Sequence, residues 1–591
     1  MSTNTNDPLR FGVEATANSA ELADALGYDF ALLTDDDALT AATWAAARTD
    51  TLHLVARVDP DERTPEMIAH AVTTLERLSG DRAEVVLEGE PLPGAVTVTS
   101  QDADELTALA VEGGVSTFVL RADESVWRTF AEEFVPKVRE AVEGPRRRAL
   151  RRPGIGYDQV PADLAPTAIE PGHPDFSRHR STYLRGGDPG LVLRPANADE
   201  VASAVAFARS HPHLPLGIRS GGHGISGRST NDGGLVIDLG RMNAITVLEE
   251  ATRLVRIEPG ARWRDVATVL QPHGWALSSG DYGGVGVGGL ATAGGIGFLA
   301  RRHGLTIDHL RAVEMVLADG SLVRATADEH EELFWAARGA GANFGIATAF
   351  EFEVDEVAEV GWAQLAFRAP DPAAYLESFG RVVADLPRET TPFLILGQGM
   401  AQVMAMVDSS DPEVIVSQLQ PFAEVAPLVQ QQVVVAPYAA VMNIFPETPH
   451  HGRGEPVSRS VLAGDMTPGL ASASADLINS GASHFFQVRT VGGAVADVPA
   501  DATAYAHRDA TFSITAMGSN AQRLDYWFDS LRRQSNGLYL SFESSDDPAR
   551  LADAFPPATL ARLRRLKAEL DPDNLFRDNF NIDVTQTRSA S

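Results

Sequence analysis

Two glycine-rich stretches, each delivered by an apolar run, constrain this chain more than any other feature. The first is Leu216-Gly217-Ile218-Arg219-Ser220-Gly221-Gly222-His223-Gly224. The second runs from Gly280-Asp281-Tyr282-Gly283-Gly284-Val285-Gly286-Val287-Gly288-Gly289 on to Gly294-Gly295-Ile296-Gly297. Segments this poor in Cβ atoms make weak helices and weak central strands, but they form tight turns that another molecule can approach closely. Their bare amides can converge on a phosphate. His223, at the far end of the first turn, is placed to act as a base or a nucleophile toward whatever that turn holds. Taken alone, the turn reads as a surface loop with an incidental histidine, so the rest of the chain has to decide.

Gly284, Gly286 and Gly289 satisfy the GxGxxG spacing, and Asp308 follows 19 residues later. A dinucleotide fold with that fingerprint requires a core strand, one tight turn and one long helix. Trp275–Asp281 makes a poor core strand, and glycines continue through Gly297, where the helix would have to pack. A long loop whose backbone lies along an extended ligand is the simpler reading.

Upstream, residues 10–143 alternate apolar runs with amphipathic segments. Arg10–Val13, Phe30–Leu33, Leu52–Val58, Ala83–Leu87 and Ser116–Leu120 read as strands. Ser19–Leu26, Ala38–Arg48, Thr64–Leu78, Ala103–Val111 and Ser125–Val142 read as helices. Such alternation implies parallel βα units. Thr34-Asp35-Asp36-Asp37 fits a helix N-cap, with no catalysis expected there. Residues 144–176 carry Arg146-Arg147-Arg148, Arg151-Arg152 and a proline-rich run from Pro153 to Pro174, the chemistry of a linker. In so acidic a protein these arginines are expected to pair with carboxylates of the same molecule.

Downstream, extended runs at Ala363–Phe367, Phe393–Gln398, Val403–Met406, Val433–Val435, Phe485–Val488, Phe512–Ala516 and Leu538–Phe542 predict a sheet. Helices at Pro372–Leu386 and Arg523–Arg533 are expected to cover one of its faces, giving an α+β domain. Polar candidates there are Tyr438, His484, Arg489, Tyr505, His507, Arg508, Tyr526 and Tyr539, each of which also fits an ordinary structural role.

The order PLGIRSGGHGISG, DGGLVIDL, GDYGGVGVGGLATAGGIGFLARRHGLTIDHL and FWAARGAGANFGIATAFEFEV resembles the FAD-linked oxidases of the vanillyl-alcohol oxidase superfamily, in their berberine-bridge-enzyme-like branch. Gly537–Phe542, Leu570-Asp571-Pro572-Asp573-Asn574-Leu575-Phe576 and Asn579-Phe580-Asn581-Ile582 extend the resemblance over about 176–582. The first module, through FGVE, LSGDRAEVVL and FAEEFVPKVREAV, resembles luciferase-like monooxygenases, which are (β/α)8 barrels. A full barrel takes about 250 residues, so the module reads as a truncated one. The fold class expected is therefore α/β plus α+β. A truncated βα barrel-like module (1–143) and a linker (144–176) precede an FAD-binding domain (177–357). An antiparallel substrate domain (358–560) follows, and then a tail (561–591) that returns to the FAD domain.

The resemblance implies FAD, cradled at its pyrophosphate by Arg219, Ser220, Gly221 and Gly222, joined 8α to His223, with Gly224 also at the cofactor. It places Gly280, Asp281, Tyr282, Gly284, Val285, Gly286, Gly288, Gly289, Gly294 and Gly295 along the cofactor. Gly339, Gly341, Asn343, Phe344, Gly345 and Ile346 fall at the adenine and ribose end, and Asn579 and Asn581 near the isoalloxazine. Tyr539 falls at the substrate side. Two departures stand out. Tyr282 occupies the position of a second, cysteinyl attachment, and Tyr539-Leu540-Ser541 replaces the Tyr-x-Asn of many relatives. The chain has no cysteine, so a single attachment through His223 is expected. A phenol ionises near pH 10, so Tyr539 acts as a base near neutrality only beside a cation, for which Arg508 and Arg489 are the candidates.

The expected activity is transfer of hydride from a small-molecule alcohol, amine or ring substrate to FAD, with oxygen as acceptor. The alternative is a flavin-binding scaffold without turnover, whose first module recruits a partner. No metal site is expected. A formal charge of −31 argues against nucleic acid and anionic membranes as partners. The polar first ten residues and the lack of a long apolar run lead to a soluble, cytoplasmic expectation.

Overall fold

The computed structural model describes residues 9–583 apart from 36, 50, 59–74, 76–78, 80–81, 88–94, 100–101, 112–114, 358, 446–449 and 451. The expected helix Thr64–Leu78 lies almost wholly outside the described residues. The chain forms two units: Met1–Arg151 with Gly172–Pro174, and Arg152–Pro171 with Asp175–Ser591.

In the first unit, six strands form one sheet: β1 (Arg10–Ala15), β2 (Phe30–Leu33), β3 (His53–Val58), β4 (Ala83–Leu87), β5 (Ala95–Val98) and β6 (Thr117–Leu120). The sheet order is β4-β3-β2-β1-β6-β5, and every pairing is parallel. Read around, this is the cyclic order of a barrel interrupted between β4 and β5. Phe30, Leu32, Val55, Val86 and Val119, with Ala95 against them, form a cluster separate from the one between strands and helices. Gly12 on β1 makes room for it, since a Cβ there would stand 2.5 Å from the Phe30 ring. A sheet with apolar residues packed on both faces is what a barrel-like βα module requires. Asp37 caps the helix Ala38–Ala46, its carboxylate accepting from the Thr40 amide and hydroxyl.

β5 has no counterpart among the expected strands, because Ala95–Val98 is short and follows a glycine and two prolines. The linker expectation for 144–176 also needs correction. The closing helix runs Val135–Leu150, carrying the arginines on its last turns, where Arg147 and Arg148 pair with Glu140 at 2.7 Å. Beyond it, Leu164 and Ile169 are buried in apolar clusters of the second unit, and Ile169 bridges to Val192. Prolines here shape a packed strap, because its leucine and isoleucine have a core to enter.

The second unit begins with a parallel trio: β7 (Leu191–Leu193), β8 (Leu216–Arg219) and β9 (Leu235–Asp238), ordered β7-β9-β8. An antiparallel sheet follows, ordered β10-β11-β15-β13-β14, from β10 (Ile245–Glu249), β11 (Leu254–Ile257), β13 (Leu310–Leu317), β14 (Leu322–Thr326) and β15 (Gly345–Glu353). The short β12 (Trp275–Ala276) pairs with β16 (Asp355–Glu356). Only a seven-residue helix, Val287–Ala293, follows the second glycine run, so the long helix of a dinucleotide fold is absent at that place.

A seven-stranded antiparallel sheet completes the unit, comprising β17 (Glu359–Arg368), β18 (Thr390–Gly397), β19 (Met400–Val407), β20 (Leu428–Pro437), β21 (Val457–Ala463), β22 (Phe485–Thr490) and β23 (Phe512–Gly518). Its order is β20-β17-β19-β18-β22-β23-β21. Alternation decides its two faces. Leu394, Val488 and Ile514 pack with the helices Pro372–Asp385, Pro468–Asn479 and Ala521–Arg532 in one cluster, whereas Phe393, Met404 and Leu462 join the core of the glycine-rich domain. Leu538–Phe542, expected as a strand, is instead a bend followed by a 3₁₀ turn at Leu540–Phe542. There the Tyr539 amide donates to Ser460 Oγ at 3.3 Å and the Phe542 amide to the Tyr539 carbonyl at 3.2 Å, so the backbone turns rather than joining the ladder.

A charged clasp ties the two sheets together. His303 lies between Asp355, 3.2 Å from Nδ1, and Asp408, 2.8 Å from Nε2. Burial opposes its protonation, but the two carboxylates prevail and hold its pKa at about 9. A folded pKa above the unfolded value of about 6.5 stabilises fully below pH 6.5, and the benefit is lost as pH rises through about 9. The midpoint of thermal unfolding should therefore fall between about pH 6.5 and 9.5 in the wild type. In His303→Gln that slope should largely vanish; an unchanged slope would show that the clasp does not titrate.

Candidate functional site

The first glycine turn leaves the end of β8 and is held from behind. The Arg219 guanidinium is buried and bonded to the Asp238 carboxylate and to the carbonyls of His179 and Ser181 at 2.6 and 3.3 Å. Burial works against the Asp238 charge, but Arg219, His179 and the Gly240 amide hold its carboxyl well below the usual range. The Arg219 side chain is thus a brace, and only its backbone leads into the turn.

The two glycine runs then meet backbone to backbone. A Cβ on Gly221 would stand 2.3 Å from the Gly286 amide nitrogen, and one on Gly286 would stand 2.2 Å from that of Gly221. Arg262 stitches them together, its Nη1 donating at 2.5 Å to the carbonyls of both Gly221 and Gly284. Ser220 Oγ accepts from the Gly288 amide at 3.2 Å and itself donates to the Pro259 carbonyl. Among the described residues, no amide of Gly221, Gly222, His223 or Gly224 donates a hydrogen bond to the protein. Gly221 and Gly222 are buried, and buried amides rarely stay unpaired. Successive amides left free of protein partners are the kind of donor a pyrophosphate takes.

His223 closes the turn inside an aromatic and cationic box. Its ring lies 4.9 Å from Tyr183, 5.2 Å from Tyr282 and 4.7 Å from His450, the last edge-on at 86°. Nε2 of His223 is 3.1 Å from Nε2 of His450. Burial, then His450, Arg262 and Arg264, push its pKa down to about 3. His223 is therefore a neutral imidazole at physiological pH, the form with a lone pair to share.

Tyr539 stands at the other end of the second glycine run. Gly294, at φ 147°, lies under the rings of Tyr539 and Tyr505, which come within 3.0 and 3.3 Å of the position a Cβ would take. The Tyr539 hydroxyl accepts from the Gly295 amide at 2.9 Å. Burial raises its pKa, while Ser541, the amides of Gly295 and Ile296 and the charge of Arg489 pull the other way without prevailing. The cation facing Tyr539 is Arg489. Arg508 instead forms a two-pronged pair with Asp308, both contacts at 2.9 Å, and stacks 5.4 Å from the Tyr505 ring. It is bound too firmly to Asp308 to serve the Tyr539 hydroxyl directly.

The remaining residues separate by their contacts. Asp281 accepts from Arg489 Nε at 2.9 Å and from Gln487 at 3.4 Å, so it links the glycine loop to β22. Gly280, Gly284, Gly288 and Gly295 are buried, Val285 is half-buried and Gly289 is exposed. Gly345 and Ile346 begin β15, where Ile346 packs in the core with Val316, Leu575 and Phe576; only their backbones can serve a ligand. Asn579 is exposed, whereas Asn581 keeps Oδ1 buried with no partner among the described residues.

The tail that carries Asn581 is locked in place by Lys567. Fully buried, its ammonium donates to Asp571 and to the carbonyls of Asn343 and Phe576, at 2.7, 2.7 and 2.9 Å. Asn343 Oδ1 accepts from the Ile582 amide at 3.0 Å. Neither His450 nor Lys567 is among the residues that sequence reasoning selects. Lys567 carries a signal, being one of two lysines in a chain otherwise served by arginine. His450 carries none.

A glycine turn with amides free of protein partners, a desolvated histidine beside it and a tyrosine at the second glycine run are groups that a flavin-dependent oxidoreductase uses. Comparison with known proteins agrees. Residues 189–326 match the FAD binding domain family, and residues 2–91 match the luciferase-like monooxygenases. The chain is 30% identical over 445 residues to the chitooligosaccharide oxidase of Gibberella zeae, covering 67% of this chain and 87% of that one. It is 29% identical over 423 residues to the (R)-6-hydroxynicotine oxidase of Paenarthrobacter nicotinovorans, covering 67% and 91%. The solved carbohydrate oxidase of Microdochium nivale superposes with a TM-score of 0.63 at 25% identity, over 71% of this chain and 97% of that one. The chain belongs to the FAD-linked oxidases of the vanillyl-alcohol oxidase superfamily, berberine-bridge-enzyme-like branch. It is an FAD-dependent oxidoreductase that oxidises small molecules. Among the described residues no helix is long and apolar enough to cross a membrane, and no cluster of metal-ligating side chains occurs.

Proposed function

We propose that this protein is an oxidase carrying FAD joined at its 8α position to His223, that it takes hydride from an alcohol, amine or ring carbon, and that oxygen is its electron acceptor. The single observation behind this reading is the neutral, boxed His223 at the rim of a turn with free amides. When bound, FAD supplies the two-electron acceptor. Residues 177–357 with the tail 561–591 would hold it, and residues 358–560 would cover the substrate. Relatives named for carbohydrates and for hydroxynicotine support both alcohols and amines as substrate classes.

In this reading the amides of Gly221–Gly224 bind the pyrophosphate, and Asn581 turns its free Oδ1 toward the ring end of the cofactor. Tyr539 takes the proton of the substrate O–H or N–H. The Gly295 and Ile296 amides, Ser541 and Arg489 then stabilise the phenolate form that accepts it, as preorganised donors do for a developing anion. Because burial raises the Tyr539 pKa, the reactive form grows with pH, and flavin reduction should accelerate through the alkaline range.

Acid precipitation tests the attachment. The pellet of purified wild-type protein should stay yellow, and its intact mass should exceed that of the polypeptide by one FAD. His223→Ala should give a colourless pellet. Yellow supernatant from the wild type would refute attachment through His223.

A further inference from the structure

Proximity of two histidine nitrogens in a chain with only 15 histidines calls for a chemical reason. His450 comes from the segment between the helix Tyr438–Met442 and β21, far along the chain, yet its Nε2 reaches Nε2 of His223 at 3.1 Å. The ring also covers Gly222, where a Cβ would stand 2.8 Å from His450 Nδ1. Among the described residues, the groups that face His223 are His450, Tyr183, Tyr282, Arg262 and Arg264. None of these is a carboxylate. The two arginines cannot accept a proton at working pH. The two tyrosines meet the imidazole through their rings, which leaves His450 as the nitrogen base in hydrogen-bond reach.

We propose that His450 is the attachment base: it receives the Nε2 proton of His223 while Nδ1 bonds to the 8α carbon of FAD. The inference rests on the reading of His223 as the attachment residue. The new bond is Nδ1 to carbon; the bonds broken are Nε2–H of His223 and one C–H of the 8α methyl. The electron pair of that C–H enters the ring system and its proton passes to water, so the joined flavin emerges reduced by two electrons, while the Nε2 proton leaves through His450 to water. Dioxygen then reoxidises it and leaves as hydrogen peroxide. Without a nearby acceptor, His223 would have to become imidazolium as it bonds, inside a box that already disfavours positive charge on it. His450 removes that obstacle by carrying the proton away along an existing hydrogen bond. Two residues 227 positions apart build the bond-forming pair.

The test compares wild type, His450→Ala and His450→Gln, each prepared without flavin and incubated with FAD in air near neutral pH. Bound flavin is read from absorbance after gel filtration, and joined flavin from the intact mass and the colour of the acid pellet. All three proteins should bind FAD. Both variants should join it at least about a hundredfold more slowly, the low end of what a lost proton acceptor costs, and added imidazole should speed the Ala variant but not the Gln variant. A variant that joins FAD at the wild-type rate, or a joining rate in the Ala variant indifferent to imidazole, overturns the role of His450 alone. Wild-type protein that releases all its flavin into acid overturns the attachment through His223 as well, so the two failures are distinct.

Discussion

Tyr539→Phe should leave the protein yellow and folded but slow flavin reduction by about 10²- to 10⁴-fold, the range typical of a lost general base. The reasoning starts from its surroundings. The hydroxyl is buried and sits at 2.9 Å from the Gly295 amide, with Ser541 and Arg489 around it. Removing one oxygen deletes the proton acceptor and strands those donors, but it preserves the ring that packs on Gly294. Stopped-flow reduction under anaerobic conditions separates this step from reoxidation. The residual rate of the Phe variant should also lose the alkaline rise shown by the wild type. Reduction at the wild-type rate, or an unaltered pH profile, would remove Tyr539 from the chemistry.

Lys567→Met should be among the most destabilising single changes available, by about 3–5 kcal/mol, because it strands a charge in the core. Asp571 is completely buried, and besides Lys567 it accepts from the amides of Leu575 and Phe576 at 2.7 and 2.9 Å. Burial lowers the Lys567 pKa, and Asp571 partly restores it, as expected for a pair whose members depend on each other. Urea denaturation of Lys567→Met, Asp571→Asn and the double variant would measure this. The double variant should be more stable than Lys567→Met alone, since the unpaired carboxylate is gone. Equal losses for Lys567→Met and the double variant would show that the lysine matters through its bonds to the Asn343 and Phe576 carbonyls and not through charge pairing.

Much of the architecture is legible from local chemistry. Alternating apolar runs mark the strands of the first unit except β5, and the glycine runs mark the cradle, because backbone freedom is written directly in the residue type. What stays hidden depends on partners distant in the chain. The His223–His450 contact spans 227 residues, and the choice between Arg489 and Arg508 turns on Asp281 and Asp308, 208 and 200 residues away from them. Leu538–Phe542 has the composition of a strand, but Ser460 captures its backbone. The helices Pro412–Ala423 and Pro468–Asn479 are hard to read in the sequence because their alanines, serines and glutamines give a weak apolar rhythm.

The Lys567 lock also sets an order of events during synthesis. Ile582 bonds to Asn343 across 239 residues, so the turn that carries Asn343 waits for residue 582 before this bond can form. At about 5–20 residues per second, that gap lasts on the order of ten to fifty seconds. Throughout it, the nascent protein holds a glycine-rich loop without its closing strap. A chain that stops short of residue 567 keeps both glycine turns and the Arg262 stitch between them, but lacks the Lys567 bond to the Asn343 carbonyl.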